Sequence, residues 1–280
     1  MTKRLFLFAG YNKSGIIDDA LVYYIRALSK FGDIVLCMDS DCSASELSKI
    51  TPYTTHAFGI RHGEYDFGSY KRAYIWACEN LRLSEYDFVY IVNDSVYGPL
   101  YDLTRYFFAM ETMGHDGFGM VKKVGHNAHI QSWFIGTKPA VFLSQWFDEF
   151  MRGITKLPDK GQITDKYENG FTRLLNKHGH TWDCLYSVIN RGVYNKIKRL
   201  YKSGMPFMKK VAFIRNHGGL GHQVLYVLTH INKTLSDAIL SSARAQYGDK
   251  QIQFLLTKNP VKITYRNIKH ALCKLFIEGI

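Results

Sequence analysis

Apolar runs and helical periodicities alternate along roughly the first 180 residues. The runs at 4–9 and 33–38 predict buried strands, and the apolar spacing of 16–30 between them predicts a helix, so the chain opens with a β-α-β unit. Such units usually place their strands in parallel. Further strands are predicted at 56–60, 86–92, 117–122 and 130–135, and further helices at 45–49, 68–80, 101–113, 139–154, 165–177, 223–245 and 267–277. The pattern predicts an α/β fold, a Rossmann-type mixed, mostly parallel sheet flanked by helices, with a basic helical C-terminal extension.

Composition agrees with a packed protein and adds a charge asymmetry. Hydrophobic residues make up 46% of the 280 residues, which suits one large domain or one domain with an appendage. The formal net charge of +12 is compatible with nucleic acid, an anionic membrane or a phosphorylated substrate. Eight basic and no acidic residues lie within 191–215, and five more basic residues follow within 258–274.

The cysteines and the apolar segments limit the cell compartment. Five scattered cysteines without a CxxC pair predict free thiols in a reducing compartment rather than a zinc knuckle or a disulfide framework. The apolar run at 5–10 is too short for a signal peptide, and no segment reaches the roughly 18 apolar residues of a membrane span. We therefore expect a cytoplasmic protein, soluble or peripheral on the membrane's inner face.

Candidate chemistry gathers where predicted strands end, because ligands of parallel sheets bind beyond the carboxyl ends of the strands. This rule selects 10–13, 39–41 and 93–95. Asn93 and Asp94 follow the clearest strand of the chain. The Asp94 carboxylate could hold a divalent cation, Mn²⁺ or Mg²⁺, that neutralises a leaving diphosphate. The alternative is an aspartate that only caps a turn.

Residues 66–72 form a second candidate segment at a predicted helix start. Asp66 precedes the helix, and Ser69, Lys71 and Arg72 fill its first turn, where free N–H groups and cations can bind a phosphate. The alternative reading is that Asp66 simply caps the helix.

Three further segments could contact an acceptor or a cation. Glu168, in the first turn of a predicted helix, could act as general base on an acceptor hydroxyl, or it could only favour the helix dipole. His129 and Gln131 would share one strand face, and Trp133 could stack on a sugar, although a buried, satisfied histidine is equally compatible. His217, in the glycine-rich stretch 215–223, is a conceivable late metal ligand.

Six segments, taken together and in order, resemble the rhamnan synthesis protein F family, whose members build rhamnose-containing and related bacterial polysaccharides. They are DFGSY (66–70), NDSVYGPL (93–100), HDGFGM (115–120), HIQSWF (129–134), YENGFT (167–172) and PFMKK (206–210). The same order is similar to the GT-A glycosyltransferase plan. HDGFG departs from the aspartate-phenylalanine-tryptophan-glycine form of the family, and Asn93-Asp94 stands where a pair of aspartates is more usual.

The resemblance implies a nucleotide-sugar-dependent, inverting transferase over 1–200, followed by a basic helical region over 201–280. Asp94 would hold the cation and Glu168 would be the base. The resemblance also implies which residues would bind the nucleoside diphosphate sugar: Ala9, Gly10, Tyr11, Asp39, Asp66, Ser69, Lys71, Arg72, Asn93 and Asp94. His129, Gln131 and Trp133 would then bind the acceptor or its sugar.

The basic tail predicts the partners. Basic and apolar residues alternate in 260–280, which indicates an interfacial helix at an anionic membrane that carries a lipid-linked glycan acceptor. An ordinary packed helix is the alternative. We expect no nucleic acid, because no nucleic-acid-binding signature accompanies the charge. A basic nucleic-acid-binding protein and an inactive scaffold of a polysaccharide assembly complex are the competing hypotheses.

Overall fold

The computed structural model describes residues 2–215 and 219–277, with side chains up to residue 268. It divides into two compact units. The first unit holds 1–17, 21–94 and 102–190, and the second holds 18–20, 95–101 and 191–280.

The first unit is built on one sheet of eight strands. Its strands are β1 (Arg4–Gly10), β2 (Asp33–Met38), β3 (His56–Gly59), β4 (Phe88–Asn93), β6 (Gly117–Val124), β7 (His129–Ile130), β8 (Phe134–Thr137) and β9 (Trp182–Ile189); β5 (Val96–Tyr97) belongs to the second unit. The strand order is β3-β2-β1-β4-β8-β6-β7, with β9 also on β6. Pairings β1–β2, β1–β4, β2–β3 and β6–β9 are parallel, and the other three are antiparallel. The predicted α/β class with a mixed, mostly parallel sheet is confirmed.

Helices cover both faces of this sheet and bury its central strands. The helices of this unit are α1 (Asp19–Leu28), α2 (Ala44–Ser48), α3 (Tyr65–Asn80), α4 (Thr104–Thr112), α5 (Pro139–Phe142), α6 (Gln145–Arg152), α7 (Lys160–Ile163) and α8 (Gly170–Lys177). Strand β1 is buried from Leu5 to Ala9 because alternate side chains enter the two layers. The Phe6 ring stacks on Tyr90, 5.2 Å between centroids, and Phe107 of α4 packs edge-on against Phe6.

Two helices predicted as continuous are broken, and capping residues explain both breaks. The helix predicted at 139–154 ends at Phe142 and restarts because the Ser144 hydroxyl accepts from the Phe147 amide, 3.3 Å away. In the second unit, the helix predicted at 223–245 forms α11 (Leu220–His230) and α12 (Lys233–Tyr247), separated by Asn232, whose side chain caps Thr234.

The predicted strand 130–135 and helix 165–177 also differ in detail. Residues 131–133 leave the strand between β7 and β8, so two short strands stand where one was predicted. The helix begins with a π-helical turn, Thr164–Asn169, which then continues as α8. Such single turns with an extra residue occur frequently at functional sites.

The second unit is mainly helical. Besides α11 and α12 it contains α9 (Gly192–Asn195), α10 (Ile197–Lys202), α13 (Asp249–Leu256) and α14 (Pro260–Ile277), and β10 (Met208–Lys209) pairs antiparallel with β5. A Cβ on Gly221 would lie 2.0 Å from the Leu255 carbonyl oxygen, so glycine permits α11 and α13 to pack closely. Arg266 is buried and donates to that same carbonyl, which fixes α14. Among the residues described, no helix is long and apolar enough to span a bilayer.

Candidate active site

The carboxyl ends of β1 and β4 meet a short segment of chain, 131–133. In the parallel register Ala9 lies opposite Asn93, and the Asp94 amide donates to the Ala9 carbonyl at 3.1 Å. The Asn93 amide donates to the Trp133 carbonyl at 3.2 Å. The strand end predicted to bind the donor is therefore fixed from both sides by backbone hydrogen bonds.

Asn93 links this strand end to the start of α3. Its side-chain amide donates to Asp66 Oδ2 at 2.7 Å, and Asn93 itself is buried. The N-cap position of α3 is Glu64, which makes no side-chain capping bond. Asp66 thus faces the strand end, which disfavours the simple-cap alternative, and the half-buried Asp94 follows directly in the chain.

Asp39, at the end of β2, organises the loop that leads into α3. Its Oδ1 accepts from the His62 amide at 2.8 Å and from the Gly63 amide at 3.0 Å. His62 Nδ1 accepts from the Glu64 amide at 3.0 Å, so Nε2 carries the proton and donates to Ser69 Oγ at 3.0 Å. Burial, and then the charge of Arg72, lower the pKa of His62 and keep it neutral.

The two cations predicted to bind phosphate have partners within the protein. Lys71 Nζ donates to the Ile154 carbonyl at 2.8 Å, and Arg72 pairs with Glu64 at 2.7 Å. Burial opposes ionisation of Glu64, but the Arg72 hydrogen bond outweighs it and lowers the pKa of that carboxyl. The donor-binding roles of both cations stay predictions.

The remaining predicted donor residues lie at the end of β1. A Cβ on Gly10 would lie 2.2 Å from Met38 Sδ, so a side chain there would collide with β2. Tyr11 follows with half of its surface exposed. The backbone at Gly10 is therefore close-packed and the Tyr11 side chain is accessible, and the donor roles of Ala9, Gly10 and Tyr11 stay predictions.

Glu168 is held in place by contacts with Ser132 and His129. Its Oε2 accepts from the Ser132 amide at 3.0 Å and from the Ser132 hydroxyl, and its Oε1 lies 3.4 Å from His129 Nε2. Burial alone would raise the pKa of Glu168, but the hydrogen bonds from His129 and Ser132 lower it. Glu168 is therefore an ionised carboxylate at neutral pH.

The hydrogen bond at the other side of the His129 ring orients it towards Glu168. Nδ1 lies 2.7 Å from the Asn127 carbonyl oxygen, which can only accept, so Nδ1 carries a proton. Nε2 faces Glu168 Oε1 at 3.4 Å, so His129 contacts the predicted base directly.

Neighbouring side chains hold the segment that carries Ser132. Thr172 Oγ1 of α8 accepts from the Ile130 amide at 3.1 Å, and the Tyr70 hydroxyl of α3 donates to the Ser132 carbonyl at 2.9 Å. The sequence prediction missed Ser132, Tyr70 and His62. Ser132 lies within the HIQSWF segment, and only the fold brings it to Glu168, 36 residues away.

Trp133 and Gln131 are buried, and their side chains are hydrogen-bonded to each other. The indole Nε1 donates to Gln131 Oε1 at 2.9 Å, and Trp133 is 3% exposed. A sugar ring could therefore reach the indole face only after a local rearrangement, and the predicted acceptor roles of His129, Gln131 and Trp133 stay predictions.

The cation prediction rests on carboxylate oxygens. Asp94 follows β4 directly, and Asp66 of α3 is hydrogen-bonded to Asn93 at the end of that strand. Carboxylate oxygens suit Mg²⁺ or Mn²⁺. No group of three or more His, Cys, Asp or Glu side chains with a metal-binding arrangement occurs in 2–215 and 219–268. The predicted ligand His217 lies outside the described residues. Mg²⁺ typically takes one or two carboxylates together with substrate phosphates, and the oxygens present fit that mode.

Comparison with known proteins gives a family and remote structural similarities. A family model described as rhamnan synthesis protein F matches residues 34–275, whereas no curated protein sequence matches the chain.

Three solved structures illustrate the structural similarities. The mannosyltransferase Ktr4p from S. cerevisiae has a TM-score of 0.32 and 8% identity, over 54% of this chain and 59% of that one. The glycosyltransferase GlyE in Streptococcus pneumoniae TIGR4 has a TM-score of 0.43 and 12% identity, over 87% of this chain and 64% of that one. A glycosyltransferase involved in glycosylation of the major capsid of PBCV-1 has a TM-score of 0.36 and 9% identity, over 75% of this chain and 94% of that one. The chain thus spans less than two thirds of the first two, and TM-scores this low carry no argument about activity.

Proposed function

The chain belongs to the rhamnan synthesis protein F family, and from this premise we propose that it transfers a sugar from a nucleoside diphosphate donor to a growing bacterial surface polysaccharide. One observation carries the proposal. The segment 131–133 makes hydrogen bonds to both sides: the Trp133 carbonyl accepts from the Asn93 amide, and the Ser132 amide donates to the Glu168 carboxylate. Two carboxylates, Asp94 and Glu168, are thereby tied to the same short segment at the sheet edge where ligands of α/β sheets bind.

In this proposal Glu168 is the general base of a direct displacement. An acceptor hydroxyl attacks the anomeric carbon of the donor sugar and gives its proton to Glu168, while the bond from that carbon to the diphosphate oxygen breaks. Inversion at the anomeric carbon follows. Ser132 and His129 keep the carboxylate ionised and oriented, which a base needs before the acceptor arrives.

Asp94, together with Asp66, would hold a divalent cation. When bound, that cation would neutralise the charge that develops on the leaving nucleoside diphosphate. Asn93 would keep Asp66 turned towards the strand end through its 2.7 Å hydrogen bond. The proposal extends to the division of labour along the chain, with donor binding and catalysis in 1–200 and a basic helical region in 201–280.

Thermal shift with a panel of nucleotides and nucleotide sugars tests the donor site. We expect one nucleoside diphosphate and its sugars to stabilise the protein with Mn²⁺ or Mg²⁺ present, and Asp94→Ala to abolish the response. The exposed Asp237, which lies on α12 of the second unit, provides the matched control Asp237→Ala. Absence of any nucleotide response, with or without metal, would contradict the proposal and favour a non-catalytic scaffold.

The second unit supports a peripheral position at the inner face of the cytoplasmic membrane, beside a lipid-linked acceptor. Val261, Tyr265 and Ile268 of α14 are 75%, 60% and 54% exposed, and their spacing places them on one helix face. Exposed Lys258 and Lys262 accompany this apolar stripe, as in interfacial helices. A truncation at 258 should no longer float with anionic vesicles, and undiminished flotation would refute this part of the proposal.

A further inference from the structure

A long acid-free stretch of the second unit carries an unusual excess of positive charge. Between Asp183 and Asp237 the sequence contains no aspartate or glutamate. An even distribution of the chain's 24 acidic residues over 280 positions would place four or five there. The basic residues of the stretch are Arg191, Lys196, Lys198, Arg199, Lys202, Lys209, Lys210, Arg215 and Lys233.

The fold gathers part of this charge around an aromatic cluster on α10 and α11. Lys198 Nζ lies 4.3 Å from the centre of the Tyr226 ring, and Lys202 Nζ lies 5.5 Å from it. His230 stacks on the same ring with centroids 3.9 Å apart, and the Tyr201 hydroxyl donates to the His230 carbonyl at 3.1 Å. We call Lys198, Tyr201, Lys202, Tyr226 and His230 the lysine–tyrosine surface.

This surface presents positive charge without a carboxylate beside it. Within the described part of the chain neither Lys198 nor Lys202 makes an ion pair, although both share one aromatic ring. Tyr201 and Tyr226 are half-buried, and Lys202 and His230 are exposed. Two ammonium groups near one ring repel each other, and an anion that approached both would relieve that repulsion.

We propose that the lysine–tyrosine surface binds the phosphate headgroups of an anionic phospholipid bilayer. Lysines attract an anionic leaflet, and tyrosines with an apolar body and a polar tip suit the interfacial layer. The exposed apolar stripe Val261–Tyr265–Ile268 in the same unit favours a bilayer over a nucleic acid, which would not bury such a stripe. The choice of a bilayer as partner rests on the membrane contact proposed above for α14. The lysine–tyrosine surface would be a second contact, made by different residues.

Two contacts of this kind have a physical rationale. A single weak anchor gives only marginal, reversible membrane binding, whereas an apolar element combined with a basic patch binds stably. The apolar stripe would enter the interface, and the lysine–tyrosine surface would supply the electrostatic attraction, which falls off within a Debye length of about 8–10 Å.

Flotation of the full chain with neutral phosphatidylcholine vesicles and with vesicles containing phosphatidylglycerol tests the inference. We expect binding to the anionic vesicles only. The double variant Lys198→Ala with Lys202→Ala should lower the partition coefficient roughly 30-fold, from the typical contribution of each lysine at an anionic surface. The matched control is Lys156→Ala with Lys160→Ala, two exposed lysines that are also four residues apart. It should bind like the unmodified chain.

Each contrary result overturns the inference. These results are equal binding to neutral vesicles, undiminished binding of the Lys198 and Lys202 variant, and displacement from vesicles by a short DNA duplex at equal phosphate concentration. Thermal shift with the nucleotide panel on the same proteins separates the two proposals. If no nucleotide stabilises the protein but it still binds anionic vesicles, the transferase proposal is refuted and the membrane inference stands. If a nucleotide stabilises the protein but it does not bind anionic vesicles, only the membrane inference is refuted.

Discussion

Replacing Glu168 with glutamine removes the proposed base while nearly keeping its shape. The Ser132 amide and hydroxyl both donate to Oε2, and Oε1 faces the His129 ring. A glutamine side chain offers one acceptor oxygen and an NH₂ group, so the two Ser132 donors would bond a neutral oxygen in place of a carboxylate oxygen. The variant therefore removes the charge and weakens the Ser132 hydrogen bonds.

The size of the stability effect follows from the two hydrogen bonds from Ser132. Hydrogen bonds to charged groups typically contribute about 1.5–3 kcal/mol, against about 0.5–1.5 kcal/mol for neutral ones. The Glu168 side chain is 21% exposed, so both bonds are largely shielded from water. We therefore expect a loss of about 2 kcal/mol in the free energy of unfolding at pH 7.

The pH dependence of this loss has a definite sign. The native environment lowers the pKa of Glu168 below its usual 4.5. Its ionised form therefore stabilises the fold at neutral pH, and that stabilisation is lost as the pH falls below 4.5 through the native pKa. Urea denaturation should show a constant difference between Glu168→Gln and the unmodified protein from pH 7 to about 5, with a smaller difference below that range.

Kinetics separate the catalytic role from the structural one. Loss of a general base should lower kcat by about 10²–10⁴-fold, with donor affinity unchanged, when both proteins are fully folded. Glu149→Gln, an exposed glutamate on α6, is the matched control and should change neither quantity. A kcat within a few-fold of the unmodified protein, in folded Glu168→Gln, would refute the assignment of Glu168 as the base.

Three further substitutions test the surrounding structure. His62→Gln should flatten the fall in stability below pH 6.5, because burial and Arg72 lower the pKa of His62 and the unfolded chain alone gains its proton there; an unchanged slope in urea titrations would contradict this. Asn232→Ala should lower the free energy of unfolding by about 1 kcal/mol through loss of the α12 cap, and no loss would exclude the cap. Tyr90→Phe should lower it by about 1.5–3 kcal/mol, since the buried hydroxyl donates at 2.6 Å to the Glu111 side chain, which also pairs with Arg4. Calorimetry showing equal stability would contradict that bond.

The central strands could be predicted because they are buried on both faces. Strands β1, β2 and β4 are continuous apolar runs, and the polar residues Asp39, Asn93 and Asp94 begin where the runs stop. Residues at the carboxyl ends of parallel strands must lie at one sheet edge, so sequence order alone places them together. The family prediction is also confirmed, over residues 34–275.

Hydrophobic periodicity could not predict the helix breaks or the strand β9. The apolar spacing continues across Ser144 and Asn232, and only the competition between capping and continuation decides that the helix stops there. Trp182–Ile189 was not predicted as a strand, because only two of its eight residues are buried and it lacks a continuous apolar run. Its pairing with β6 supplies the long-range context that the local pattern lacks.

The contacts around the candidate base depend on topology and could not be predicted. Glu168 was selected for its place at a helix start, but its partners Ser132 and His129 come from a segment about 36 residues earlier. The π-helical turn, which no spacing rule predicted, places Glu168 against that segment. His129 was predicted to touch the acceptor, and in the structure it contacts Asn127 and Glu168.

Transfer of a labelled sugar tests the central claim most directly. The purified chain would be incubated with Mn²⁺ or Mg²⁺, a panel of radiolabelled nucleotide sugars and a bacterial lipid extract that contains lipid-linked glycans. We predict that label from one donor enters the lipid fraction, and that Glu168→Gln and Asp94→Ala abolish the incorporation while Glu149→Gln does not. Specific donor binding without incorporation from any donor, or incorporation undiminished in Glu168→Gln, would contradict the account.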